Sequence, residues 1–343
     1  MHSGFSNLGM TSPVLAAPMA GGPTSPAMVV AAAGAGSLGF VAAGYKTPDL
    51  LAEQVREVRA GTHAFGVNLF APNAVPIDED EFRRYAGAIQ PVADRYGMDL
   101  REAALREDDD WWQQKVDLLL AAPVPLVSFT FGLPDVATIK ALRGAGTVTV
   151  QTVTSADEAK RAVETGVDML AVQSSAAGGH WGTLSPGRPP EQLSLTDLVA
   201  SVRAVAELPL IAAGGLSTSQ EVATTLQAGA DAVAVGTILL RSHESAASDV
   251  HKSALADPSR TRRVLTRAFS GRPAGGLVNE FIERYDAIAP LGYPAVHHLT
   301  SPIRKAAAAA GDPEAANLWA GSGWRNATDE PVAAILQRLS ATL

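Results

Sequence analysis

The stretch Gln173-Ser-Ser-Ala-Ala-Gly-Gly-His180 gathers groups that could do chemistry together. The Gln173 amide can both donate and accept, which suits the polar edge of a flat heterocycle. Gly178 and Gly179 let the backbone pass close to such a ring. His180 then stands where a substrate would meet it, and an imidazole with an ordinary pKa of about 6.5 is a competent base. A lone histidine is more often structural. Here the glycine neighbours, and the apolar run Met169–Gln173 ending just before, favour function. The other six, His2, His63, His243, His251, His297 and His298, lack such a setting and are expected to be structural or surface residues.

Two further loops point the same way. Ala212-Ala-Gly214-Gly215 and Ala234-Val235-Gly236-Thr237 each follow an apolar run and precede a helical pattern. Glycine permits close backbone approach, and N–H groups at a helix start favour a phosphate. Gly34-Ala-Gly-Ser-Leu-Gly39 opens a strand and not a helix, the wrong context for an adenine-dinucleotide fingerprint. A mononucleotide such as FMN therefore fits better than NAD or FAD. The chain has no cysteine, which excludes thiolate nucleophiles and Cys-held metals. No strand end supplies paired His or His with a carboxylate at ligand spacing, so no metal is expected.

Eight apolar runs must position these loops: Val14–Ala17, Leu38–Ala42, Ala64–Phe70, Leu126–Phe131, Thr147–Thr152, Met169–Gln173, Leu210–Ala213 and Ala232–Val235. Helical patterns separate them, the signature of βα units around a parallel sheet. Ser155 with Glu158, and Ser217 with Gln220, read as capping boxes. Glu164–Gln173 echoes Gln227–Gly236 at an offset of 63 residues, with Gly166/Gly229 and Asp168/Asp231 in register. The predicted fold is α/β, a (β/α)8 TIM barrel, whose sites lie at the C-terminal strand ends. Residues 1–240 would form the FMN-binding barrel, with a charged helical insertion at about 78–122 that includes Arg101–Trp112 and partly lids the site. Residues 241–343 would form a C-terminal cap, with an alanine-rich helix through Ala306–Ala310.

The bulk composition fits an enzyme of small molecules. A net charge of -8 with interspersed signs gives no basic patch for nucleic acid or an anionic membrane. Met1–Thr11 lacks the pattern of a signal peptide, and glycines interrupt the apolar stretch from Ala27 to Ala43. A cytoplasmic location is expected. A homo-oligomer is left open.

At this point the chain resembles the nitronate monooxygenase family, formerly called 2-nitropropane dioxygenases. The resemblance lies in Ala17-Pro-Met-Ala20, Gly66-Val-Asn-Leu69, Gln173 through His180, Ala213-Gly-Gly215, Ala234-Val-Gly-Thr237 and Leu318-Trp-Ala-Gly321. It implies FMN contacts at Met19, Asn68, Gln173, Gly178, Gly215 and Ala234 to Thr237, and His180 as the catalytic histidine. It implies oxidation of an alkyl nitronate by O2 to a carbonyl compound and nitrite. For a nitroalkane, His180 would first remove the α-proton; for a nitronate it would position the anion. Family members often carry Glu where this chain has Ala176, and Gln where it has Ser322, which bears on substrate more than cofactor. Two other readings remain: an FMN-dependent enoyl-acyl-carrier-protein reductase using NAD(P)H, and a non-catalytic flavin-binding or sensing protein.

Overall fold

Strands buried on both faces read as unbroken apolar runs, and the barrel is built from such runs. The computed structural model describes Phe5, residues 8–191 and residues 193–341. The barrel strands are β1 (Val14–Ala16), β2 (Gly39–Ala42), β3 (Phe65–Ala71), β4 (Leu126–Phe131), β5 (Val148–Val153), β6 (Met169–Gln173), β8 (Leu210–Ala213) and β9 (Ala232–Val235). β7 (Gly179–His180) lies outside the barrel, in the loop after β6. All eight barrel strands are parallel, in the order β1-β9-β8-β6-β5-β4-β3-β2. The β1–β2 seam is drawn together by Ala16 N–H donating to the Leu38 carbonyl at 2.9 Å and the Ser37 hydroxyl donating to the Val14 carbonyl.

The period-2 alternation of the strands sorts their side chains between two layers. Val67 and Leu69 of β3, Val127 and Phe129 of β4, and Val233 and Val235 of β9 pack outward under the helices. Leu15, Phe40, Leu126, Val150, Met169, Ile211 and Ala232 fill the barrel interior, plugged from below by Phe5, Leu8 and Met10. The same alternation turns Asn68, Thr130, Thr152, Gln173, Ala213 and Ala234 inward at the upper end, where they line a cavity.

The helices in chain order are α1 (Pro26–Gly34), α2 (Pro48–Gly61), α3 (Glu79–Asp94), α4 (Trp112–Ala121), α5 (Val136–Gly144), α6 (Ala156–Glu164), α7 (Leu195–Arg203) and α8 (Ser219–Gln227). Ser155 caps α6 as expected, accepting from Glu158 N–H, but the Glu158 carboxylate reaches Thr154 and not Ser155. The other box is shifted by one residue: Thr218 is the N-cap of α8 and Glu221 its partner. Glu221 outcompetes Gln220 because its carboxylate collects the N–H groups of both Ser217 and Thr218. The 63-residue echo is a working device. Asp168 accepts from Thr149 N–H and pairs with Arg143; Asp231 accepts from Leu210 N–H and pairs with Arg203. Each aspartate ties the start of one strand to that of its neighbour.

The stretch read as a helical insertion divides. α4 packs against β3, α2 and α5 as an ordinary barrel helix. Between α3 and α4, residues Arg101–Trp111 are not helical, against the expectation. Arg83 donates to the Arg101 and Ala103 carbonyls, Asp108 accepts from Asp110 N–H, and Asp110 and Trp111 take left-handed φ values of 57° and 52°. These contacts satisfy the backbone without a helix.

Beyond Leu240 come α9 (Asp249–Ala256), the hairpin β10 (Arg263–Thr266) and β11 (Ala274–Leu277), α10 (Glu280–Tyr285), α11 (Ala295–Ala309) and α12 (Val332–Ser340). All but α12 share a second apolar core with α3, around Phe82, Phe269, Phe281, Leu299 and Leu318. α12 leaves this cap and returns to the barrel, where Val332, Ile335, Leu336 and Leu339 pack beside α1, α8 and β1. Among the described residues no helix is long and apolar enough to cross a membrane, and no cluster of three or more His, Asp or Glu could hold a metal ion.

Candidate active site

One cavity of about 1040 Å³ opens at the C-terminal ends of the strands, between barrel and cap. All twelve residues singled out for a site line it: Met19, Asn68, Gln173, Gly178, Gly179, His180, Gly214, Gly215, Ala234, Val235, Gly236 and Thr237. Val235 contributes only backbone, because its side chain is in the strand–helix layer. Asn68 is held by its amide donating to the Ser128 and Thr130 hydroxyls at 2.9 and 3.1 Å. Gln173 is more committed than its sequence position suggests. Its Oε1 accepts from Gly182 N–H at 2.6 Å and its Nε2 donates to the His180 carbonyl, so the amide braces the loop and keeps one N–H in reserve.

Two glycine loops form a cradle. Gly214 and Gly215 have φ of 119° and 81°, a conformation that side chains resist. A Cβ on Gly215 would stand 2.6 Å from the Ser322 hydroxyl and 3.1 Å from Ala176. The two departures from the family pattern are therefore neighbours packed behind the same glycine. Among the described residues, the N–H groups of Gly214, Gly215, Gly236 and Thr237 donate to no protein acceptor. The first turn of α8 does not add its N-terminus to this cradle, since Glu221 already neutralises it. Four unpartnered N–H groups on adjacent loops suit the oxygens of a phosphate. A mononucleotide fits this cavity: the four N–H groups suit a phosphate, and the Gln173–His180 loop leaves room for a flat ring beside it.

Three elements of the cap meet that loop. β7 pairs antiparallel with β11, His180 opposite Ala274. Arg263 of β10 donates to the Ser175, Ala177 and Ala320 carbonyls at 2.7, 2.5 and 2.8 Å, joining the loop to the Leu318–Gly321 segment. Around the His180 imidazole stand the rings of Phe131, Tyr293 and Trp319, each with its centroid 5.7 Å away. Burial first, and then the Arg272 and Arg304 guanidiniums, push the His180 pKa down to about 3. The ring is neutral at physiological pH.

The far wall was missed by the sequence reading. Tyr45, Tyr293, His297, His298 and Arg304 line it, and His251 lies at its edge. Three histidines set aside as structural or surface residues thus border the cavity. Arg304 is buried and donates to Thr300 and to the His297 carbonyl, both at 3.1 Å; among the described residues no carboxylate pairs with it. Arg272, fully buried behind Phe131 with its guanidinium 4.1 Å over the ring, also lacks a paired carboxylate. Burial lowers both to about 10, so both stay charged near neutrality. Tyr293 donates its hydroxyl to that of Tyr45 at 3.3 Å. The Tyr45 proton is left for the cavity, and burial, raising that phenol to about 12, keeps it in place. Arg304 and the Tyr45 phenol in the wall, with Arg272 behind Phe131, make this side of the cavity attract an anion. The 106–111 segment closes one side, anchored by Asp110, which accepts from Tyr45 N–H at 2.9 Å and from Lys115 Nζ at 2.7 Å.

Residues 3–341 match the family model described as nitronate monooxygenase. The chain is similar to a probable nitronate monooxygenase of Bacillus subtilis (strain 168), 34% identical over 96% of this chain and 95% of that one. A probable nitronate monooxygenase of Staphylococcus aureus (strain MRSA252) is also 34% identical, over 97% and 94%. Among solved structures, nitroalkane oxidase from Streptomyces ansochromogenes superposes with a TM-score of 0.91 at 41% identity, covering 98% and 97% of the two chains. FabK from Thermotoga maritima, at 24% identity and a TM-score of 0.75 over 97% and 93%, shares the fold.

Proposed function

The chain belongs to the nitronate monooxygenase family, and from that premise we propose that the cavity binds FMN, with His180 facing the substrate. It is an oxidoreductase of nitronates and nitroalkanes. Bound here, FMN would supply the electron acceptor for the substrate and pass electrons on to O2, giving a carbonyl compound and nitrite. The Gly214, Gly215, Gly236 and Thr237 N–H groups would hold its phosphate, and Met19, Asn68, Gln173, Gly178 and Gly179 would border its ring. The barrel strand ends thus supply the cofactor side, while residues of the 241–343 segment, joined by Tyr45 and the 106–111 segment from barrel loops, supply the substrate side. The observation that carries this reading is the set of four unpartnered N–H groups in the same cavity as His180.

Arg304 and Tyr45 draw an anionic nitronate into the cavity, and Tyr293 and Trp319 flank the imidazole against which it rests. His180, with its pKa near 3, has little drive to take a proton from carbon. The nitronate is accordingly the better substrate and the nitroalkane the slower one. The test is direct. The purified protein should be yellow and should release FMN on denaturation, and adding a nitronate should consume O2 and yield nitrite. A colourless protein that fails to take up FMN overturns the reading. Bleaching of the colour by NADPH, with no nitronate turnover, would move it to the enoyl reductase.

A further inference from the structure

His180 is held at one ring nitrogen by one hydroxyl. Ser270 is fully buried, four residues before the partner of His180 in the β7–β11 pair. Its Oγ lies 2.9 Å from His180 Nε2 and 3.1 Å from the Arg272 carbonyl oxygen. That carbonyl receives no other hydrogen bond among the described residues. Serine has one proton to give. If it goes to the carbonyl, Oγ accepts from Nε2–H and all three groups are satisfied. The reverse arrangement sets a buried carbonyl against a lone pair, a costly loss. The turn cannot easily rotate the hydroxyl away. Ser270 and Gly271 both donate to the Arg267 carbonyl, at 3.1 and 2.8 Å, and Gly271, at φ 72°, abuts the Gly292 backbone. Nδ1 has no protein partner and is not sealed from the cavity that His180 lines.

We propose that Ser270 is a positioning residue that fixes His180 as the Nε2–H tautomer, so that Nδ1 offers its lone pair to the substrate. This rests on the reading of His180 as the residue facing the substrate. The step it serves is proton removal from a neutral nitroalkane. The Cα–H bond breaks, the proton goes to Nδ1, and the electron pair spreads onto the nitro oxygens to give the nitronate. A preformed nitronate needs no such step. Because a neutral hydroxyl and not a carboxylate stands behind Nε2, the imidazolium gains no counter-charge, and the step stays slow. Ser270 therefore sets how far the enzyme serves the nitroalkane relative to the nitronate.

The test compares flavin-loaded wild type, Ser270→Ala and Ser270→Thr on one nitroalkane and its preformed nitronate. In Ser270→Ala the ratio of kcat/KM values, nitroalkane over nitronate, should fall at least about tenfold, part of the roughly hundredfold or more that a positioned base contributes. Ser270→Thr, which keeps the hydroxyl, should restore most of it. An equal loss on both substrates, or no loss, overturns the proposal. A second measurement needs no variant. Nitrogen NMR of wild type with isotope-labelled histidine should show His180 protonated at Nε2 and bare at Nδ1; the opposite tautomer overturns it. Flavin content and nitronate turnover of wild type, read in the same assays, test the assignment of the site separately.

Discussion

Gly178 lies so close to Gly321 that a Cβ on it would stand 2.6 Å from the Gly321 nitrogen and 2.6 Å from the Thr237 hydroxyl. The loop bearing His180, the cap segment Leu318–Gly321 and one of the glycine loops therefore meet at a point with no room for a methyl group. Gly178→Ala should cost about 1–3 kcal/mol through overpacking and should lower FMN per chain severalfold. Gly87, exposed in α3 with nothing near its Cβ position, provides the control, and alanine there should stabilise by roughly 0.5–1 kcal/mol. Flavin absorbance per chain and urea titrations check both. Undiminished FMN in Gly178→Ala would show that the loop yields freely.

Arg304→Gln should weaken binding of an anionic nitronate. The guanidinium is buried in the cavity wall with only neutral partners, so its charge is available to a ligand. Losing a hydrogen bond to a charged group costs about 1.5–3 kcal/mol, roughly a tenfold to hundredfold rise in KM. Steady-state nitrite assays decide it; a KM within a factor of about two of wild type would place the anion elsewhere.

The Lys115–Asp110 pair anchors the segment over the cavity, with Lys115 only 1% exposed. Lys115→Met leaves a buried carboxylate without its cation and should cost about 3–5 kcal/mol. Adding Asp110→Asn should recover much of that, because the amide oxygen can still accept from Tyr45 N–H. Urea unfolding of the two single variants and the double variant measures the coupling. Additive losses would mean that the pair is not what holds the segment.

Stability should fall as pH drops from about 6.5 towards 4. His251 is buried, its Nε2–H donates to the Trp319 carbonyl at 2.8 Å, and burial holds its pKa down to about 4. The unfolded chain takes up this proton first, so the fold loses about 2 kcal/mol at pH 5 from this group. His297 is lowered by burial and by Arg304, and acts in the same direction. Asp110, raised to about 6 by burial, protonates earlier in the fold and offsets part of the loss. Thermal melts from pH 8 to 5 should show a declining midpoint, with a shallower decline in His251→Gln. A flat wild-type profile would contradict this.

The barrel strands and the glycine loops were legible because their signals are local. A parallel strand buried on both faces must be an apolar run, and Met169–Gln173, Leu210–Ala213 and Ala232–Val235 fell where the runs do. The substrate wall was not legible, because its residues meet only through tertiary contacts. Nothing near Arg304 or Tyr45 in sequence announces that the two border the same cavity. Arg101–Trp111 misled for the opposite reason. Its composition favours a helix, but backbone-directed Arg83 and Asp108 contacts win locally. The capping box on α8 moved by one residue because adjacent Ser217 and Thr218 both satisfy the pattern, and only the reach of Glu221 separates them.

The return of α12 to the barrel has a consequence for the order in which the protein can be made. β1 leaves the ribosome before its sheet partner β9 and its covering helix α12, the helix only after the whole cap. Until Val332–Ser340 has been translated, the apolar faces of α1 and β1 lack their cover. The Ser12 and Ser340 hydroxyls stand 2.8 Å apart where α12 closes over the start of β1. The barrel thus cannot complete its packing before the cap has been made.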